Sequence, residues 1–151
     1  MTPQFHTSTE KAIWQTVYEQ ALYEVYSEEQ TIQLAIGQNS PALDRLIAIA
    51  ACSCWALITA YNPRSQCLSE AVNQQHQYEL QEYLLRRSLI SLPAIGKDPK
   101  GVWMPEPSRL ILGIESTQTT SIGRRFQQNA IVYGEIGQPA KLLWIDYGAR
   151  D

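Results

Sequence analysis

Hydrophobic positions along this chain recur at two different periods, and the switches between them mark the elements. Ile13, Trp14, Val17, Tyr18 and Ala21 fall at helical spacing behind N-cap candidates at Thr7 to Thr9, which predicts a helix ending near residue 21. The period then drops to two. Tyr23 and Val25, then Ile32, Leu34 and Ile36 beyond a Ser-Glu-Glu turn, alternate with polar residues and predict a hairpin of half-buried strands. Ser40 followed by Pro41 starts a second helix, because a proline in the first turn gives up an N–H that has no helical partner anyway. Leu43, Leu46, Ile47 and Ala50 form its inward face.

The second half opens on "CWALITAYNP", an apolar run with little alternation, as expected of a strand covered on both faces. Ser69 caps a helix over about 70–87, with Val72, Leu80, Tyr83 and Leu84 as its core stripe. "LISLPAIGKDPKGVWMPEPSRLILGI" reads as two strands around a long turn. Asp98-Pro99-Lys100-Gly101 has type I turn chemistry, and Pro105 and Pro107, which cannot donate to a ladder, mark an edge or a break. Ser116 or Thr117 caps a short helix to about residue 127, and "NAIVYGE" and "KLLWIDY" come next as strands around "IGQPA". The second half is β-α-β-β-α-β-β. The fold class is α+β: a single domain over residues 1–151, with a mostly antiparallel mixed sheet and helices packed on it.

Composition narrows the function classes. Only 18% of the 151 residues are charged and the net charge is −3, so the surface is more polar than charged and lacks the basic footprint of a nucleic-acid partner. Arg86 and Arg87, and Arg124 and Arg125, sit at helix C-termini, where cations complement the dipole. The longest apolar run falls short of the ~20 residues of a membrane span, which argues against a membrane partner. With no leader-like start, this points to a soluble, cytoplasmic protein. An odd count of three cysteines, Cys52, Cys54 and Cys67, fits reduced thiols, with Cys54 as a core residue, and C-S-C lacks the zinc spacing. No metal cluster, phosphate loop, dinucleotide fingerprint or nucleophile elbow is present, so no metal and no cofactor is expected. His6 and His76 have no evident chemical partner.

There remains a polar set at strand ends. Tyr61, Asn62 and Arg64 come after the "CWALITA" strand, Asn73 lies one turn into the next helix, Glu106 and Ser108 precede "RLILGI", and Gln128 and Asn129 precede "AIVYGE". If the first and last of these strands pair antiparallel, Asn62 faces Gln128 and Asn129, and a partner beginning at Ser108 brings Glu106 to the same edge. Such a cluster suits a binding module for a polar small molecule, nucleotide-like or peptide-like, because amides read hydrogen-bonding edges with both donor and acceptor. Arg64, Arg124 or Arg125 would add an anionic contact. Two other classes fit: an enzyme with Glu106 as general base, and an interaction protein docking through the Trp103 loop or an edge strand. Whether it is an enzyme stays open at this level. The same amides would serve equally to satisfy orphan backbone groups, and Glu106 to pair with Arg109 or Arg125. Trp103, on a Pro-rich loop, reads as a lid or as a plug on the core.

Several spaced motifs stand in order: Thr59-Ala60-Tyr61-Asn62-Pro63, Asn73, Asp98-Pro99 with Gly101 and Trp103, Pro105-Glu106-Pro107-Ser108, and Phe126 to Tyr133. From about residue 23 to 144 the chain resembles the bacterial family called domain of unknown function 3293. Its pattern is a T-A-[YW]-N-P strand end, a D-P-x-G-x-W loop, a P-E-x-S strand start and an F-G-Q-N-A-[IV] joint. The resemblance implies a shared fold and brings no activity, ligand or catalytic residue with it. Gln127 departs from the pattern, standing where the family has glycine. If that position is left-handed, Gln127 carries a backbone cost of roughly 1 kcal/mol.

Overall fold

The computed structural model describes residues 8–147, with side chains from Glu10 onward. Thr7, and the side chains of Ser8 and Thr9, lie outside the described residues, as does His6, so the capping predicted at 7–9 is not among them. The elements run α1 (Ser8–Gln20), β1 (Leu22–Tyr26), β2 (Thr31–Leu34), α2 (Pro41–Ile49), β3 (Cys54–Ile58), a 3-10 turn (Pro63–Ser65), α3 (Glu70–Arg86), β4 (Ser91–Lys97), β5 (Glu106–Leu112), α4 (Ser116–Arg125), β6 (Ala130–Glu135) and β7 (Lys141–Trp144).

The strands form a seven-stranded sheet in the order β2-β1-β4-β5-β3-β6-β7. Every neighbouring pair is antiparallel, so the sheet is not mixed. The helical crossovers α3 and α4 do return the chain in parallel, β3 to β4 and β5 to β6. In each case another strand occupies the space between, β5 in the first and β3 in the second, so no parallel pair touches. The edges approach each other: Gly37 N–H donates to Ala140 O at 2.7 Å and Ala140 N–H to Gln38 O at 3.1 Å, just beyond β2 and just before β7. The sheet is therefore curled.

Its two faces bury two cores. Tyr23, Val25, Leu34, Trp55, Leu57, Leu110 and Val132 line the inner face with Leu43 and Ile47 of α2. Ala56, Ile58, Ile111, Ile131 and Tyr133 line the outer face with Leu80 and Leu84 of α3 and Ile122 of α4. Strand β3 is buried at all five positions, as its unbroken apolar run requires.

Some expectations are corrected. The buried stripe of α3 is Asn73, Gln77, Leu80 and Leu84, while Val72 is exposed; the helix aims amides, not an aliphatic, at the loop before it. Ile13 is exposed on α1, and Ala50 is the exposed C-cap of α2 rather than part of its face. Helix α4 is capped by Glu115, in a reciprocal box with Gln118, and ends at Arg125. Pro107 lies inside β5, an interior strand, and not at an edge. Its carbonyl accepts from the Thr59 hydroxyl at 2.7 Å on the side where β3 has already ended at Ile58. A backbone N–H on that side would meet no ladder carbonyl, so proline is tolerated there.

Candidate functional site

At one end of the inner face the core does not close. Leu57 and Thr59 at the end of β3, Glu106 and Ser108 at the start of β5, and Gln128 and Ala130 at the start of β6 surround a cavity of about 240 Å³. Trp14, Val17 and Tyr18 of α1 cover it, and Trp103 closes one side from the β4–β5 loop. Its size is well above the ~15 Å³ that one water needs and just below the ~300 Å³ of the smaller drug-sized sites.

The floor has a plain origin in register. Tyr23, Gly96 and Glu106 are direct neighbours across β1, β4 and β5. Gly96 carries no side chain, so the Tyr23 ring leans over it; a Cβ there would lie 3.3 Å from Tyr23 Cε1. The aromatic ring, the gap and the carboxylate thus form one row.

Glu106 accepts from Asn62 Nδ2 at 2.8 Å, and no other described residue bonds or pairs with its carboxylate. Burial raises its pKa above the ordinary carboxylate value, and the Asn62 hydrogen bond offsets part of that. The nearby phenols respond to the same apolar setting. Burial pushes Tyr18 up to about 12 and raises Tyr23 as well, with the Glu106 charge adding to both.

The polar loop beside the cavity is strained and heavily braced. Asn62, Arg64 and Ser65 have φ of 47°, 58° and 59°. Left-handed residues other than glycine persist only where surrounding bonds over-determine them. Here Asn73 does so from α3: its Oδ1 accepts from Asn62 N–H at 2.8 Å, and its Nδ2 donates to Asn62 Oδ1 at 2.8 Å. Asn62 Oδ1 also accepts from Leu68 N–H at 3.0 Å.

The three amides at the α4–β6 joint brace the loop from the other side. Gln127 O accepts from Arg64 N–H at 2.7 Å, Gln128 Nε2 donates to Tyr61 O at 3.2 Å, and Asn129 Nδ2 donates to Ser65 Oγ at 3.0 Å. Gln127 itself is left-handed, with φ of 56°.

The proposed residues therefore divide. Asn62, Glu106, Ser108 and Gln128 line the cavity together. Tyr61 points elsewhere and donates to Glu70 at 2.8 Å, and burial with that bond pushes its pKa up to about 12. Asn73 and Asn129 are buried braces that do not line the cavity.

Among the described residues no arginine lines the cavity. Arg64 stacks on Tyr147 at 3.5 Å, Arg124 donates to Asp146 O, and Arg125 lies over the Tyr83 ring, so none supplies the expected anionic contact. The alternative partners of Glu106 fall away too, because Arg109 donates to Ser91.

Trp103 packs against the inner core and also walls the cavity. The residues that sequence reasoning missed are Trp14, Tyr18, Tyr23, Ser65 and Gly96. The i, i+4 pair Trp14 and Tyr18 was the available signal, but an aromatic stripe on a helix looks the same over a core as over a cavity.

No helix among the described residues is long and apolar enough to cross a membrane. The chain matches no curated protein and no solved structure. Over residues 58–131, which hold Asn62, Glu106, Ser108 and Gln128 but neither α1 nor Tyr23, the chain resembles the family described as Protein of unknown function (DUF3293).

Proposed function

We propose that this protein is a binding module for a small polar ligand held in the cavity between α1 and the ends of β3, β5 and β6. The observation that carries this reading is the Glu106 carboxylate, bonded on one side by Asn62 and facing a mostly aromatic and aliphatic hollow. A buried charge with a single partner is costly unless something else completes its coordination. Of the nucleotide-like and peptide-like ligands that amides alone would suit, the absence of any lysine, arginine or histidine among the described lining residues favours those without a phosphate.

The test is a thermal-shift screen of small metabolites and nucleosides, with tryptophan fluorescence from Trp14 and Trp103 as the second readout. It is repeated on Gly96→Val, which fills the floor between Tyr23 and Glu106. Ligands of this site stabilise the native protein and lose that effect in Gly96→Val. A ligand that stabilises both proteins equally lies elsewhere, and the reading fails.

One observation favours a second reading. Burial raises the Glu106 carboxyl, the direction a general base working near neutrality needs. An enzyme of this kind loses turnover in Glu106→Gln but keeps its substrate affinity.

A further inference from the structure

Hydrogen bonds inside the protein have already consumed most of the donors around this cavity. Gln128 Nε2 donates to two carbonyls, Tyr61 O at 3.2 Å and Phe126 O at 3.4 Å. The Ser108 hydroxyl donates to Glu106 O at 3.0 Å and the Thr59 hydroxyl to Pro107 O at 2.7 Å. Asn62 Nδ2 is turned onto Glu106.

The groups left to face a ligand include two acceptors, beside the Tyr23 hydroxyl and the Trp103 indole N–H, which bond to no described residue. The second Glu106 oxygen and Gln128 Oε1 take no bond from any described residue. Among the described residues the lining carries one carboxyl group and no basic side chain. Much of the remaining wall is aromatic, the rings of Trp14, Tyr18, Tyr23 and Trp103, with aliphatic side chains such as Val17, Leu57 and Leu142 beside them. Acceptors, one negative charge and aromatic faces all attract the same species. A positively charged nitrogen bearing hydrogens satisfies the carboxylate and the amide oxygen, and it is attracted to ring faces. An anion meets an uncompensated carboxylate, and a neutral acceptor finds few donors.

We infer that the ligand of this cavity is a small organic ammonium ion, its charged head on Glu106 and Gln128 and its apolar body between the rings of α1 and Trp103. This rests on the binding-module reading of the same cavity. The cavity volume of about 240 Å³ limits the ligand to a small amine rather than a long polyamine or a folded peptide.

Three probes of matched shape separate the two levels of the idea: 2-phenylethylamine, 2-phenylethanol and phenylacetate, with butylamine, butanol and butyrate as an aliphatic set. Affinity is measured by calorimetry and tryptophan fluorescence on the full chain, on Glu106→Gln and on Trp103→Leu. Glu106→Gln keeps an acceptor for Asn62, so the loop stays braced.

The amines bind the native protein at least about tenfold more tightly than the alcohols and acids, since hydrogen bonds to charged groups are the strong ones. That preference disappears in Glu106→Gln and weakens in Trp103→Leu. Equal binding of amine and alcohol, or an amine preference that survives Glu106→Gln, overturns the ammonium assignment while leaving the cavity as a binding site. Tightest binding by the acids does the same. If no probe binds and the metabolite screen finds nothing that Gly96→Val removes, the cavity reading fails with it.

Discussion

The inner face of the sheet contains the same small device twice, with opposite results. At one end Trp55 pairs directly with Gly134 across β3 and β6, and at the other Tyr23 pairs with Gly96 across β1 and β4. Each glycine makes room for the ring opposite. A Cβ on Gly134 would lie 2.3 Å from the Trp55 indole, so that end is filled. A Cβ on Gly96 would lie 3.3 Å from the edge of the Tyr23 ring, and the next residue in the row is Glu106 rather than an apolar side chain. One end is core and the other keeps a cavity. The difference comes from the Glu106 carboxylate beside Gly96 in the row and from the strained loop that keeps Asn62 over the opening.

The comparison can be broken most directly with the two glycines. Gly134→Ala forces the indole to move in a packed core and destabilises the protein by about 3 kcal/mol, the upper end for overpacking. Gly96→Ala needs only a small shift of a ring that borders open space, and changes stability by less than about 1 kcal/mol. Urea unfolding of both variants decides it, and similar losses would mean that the two ends are packed alike.

Removing the brace comes next. Asn62→Ala removes a hydrogen-bond partner from each of Leu68 N–H, Asn73 Nδ2 and Glu106, and costs about 2 kcal/mol in thermal or chemical unfolding. For that reason this substitution cannot serve as a clean test of binding.

Gln127→Gly acts in the other direction. The position is left-handed, so glycine relieves strain and stabilises by roughly 1 kcal/mol. A melting temperature that does not rise shows that the Gln127 side chain contributes something that offsets the strain.

The smallest effect is the pH dependence of Glu106. Its folded pKa is raised, so the native state holds a proton in a window where the unfolded chain has released it. The groups that interact with it are the phenols of Tyr18, Tyr23 and Tyr61 and the Asn62 amide, none of them cationic. Native stability is therefore fully present below the ordinary glutamate pKa and falls as pH rises through the raised one. Glu106→Gln lacks this fall and is more stable than the native protein above the window. The difference in unfolding free energy between the two, tracked from acid to neutral pH, checks the sign.

Much of the fold was legible in the sequence. The element order, the buried β3 and the pairing that brings Asn62 toward Gln128 and Glu106 are set by apolar period, turn residues and caps, which act over a few neighbours. The parts that were not legible depend on distant segments. Pro107 looked like a strand breaker because the Thr59 hydroxyl that accommodates it lies 48 residues away. Asn73 and Gln77 were missing from the predicted core stripe of α3 because a helix that buries amides has no distinctive period. The site divided for the same reason: nothing local distinguishes Gln128, which lines the cavity, from Asn129, which braces Ser65.

By itself the sequence determined an α+β framework and the polar residues that meet at one end of its sheet, because periodicity and capping are written in adjacent side chains. Only the tertiary structure decided that this end stays open. The cavity exists because Gly96 sits between Tyr23 and Glu106 in one cross-strand row, because α1 spans the gap instead of filling it, and because the amides of α3 and of the α4–β6 joint hold a left-handed loop in place. Each of those facts is a relation between residues far apart in the chain.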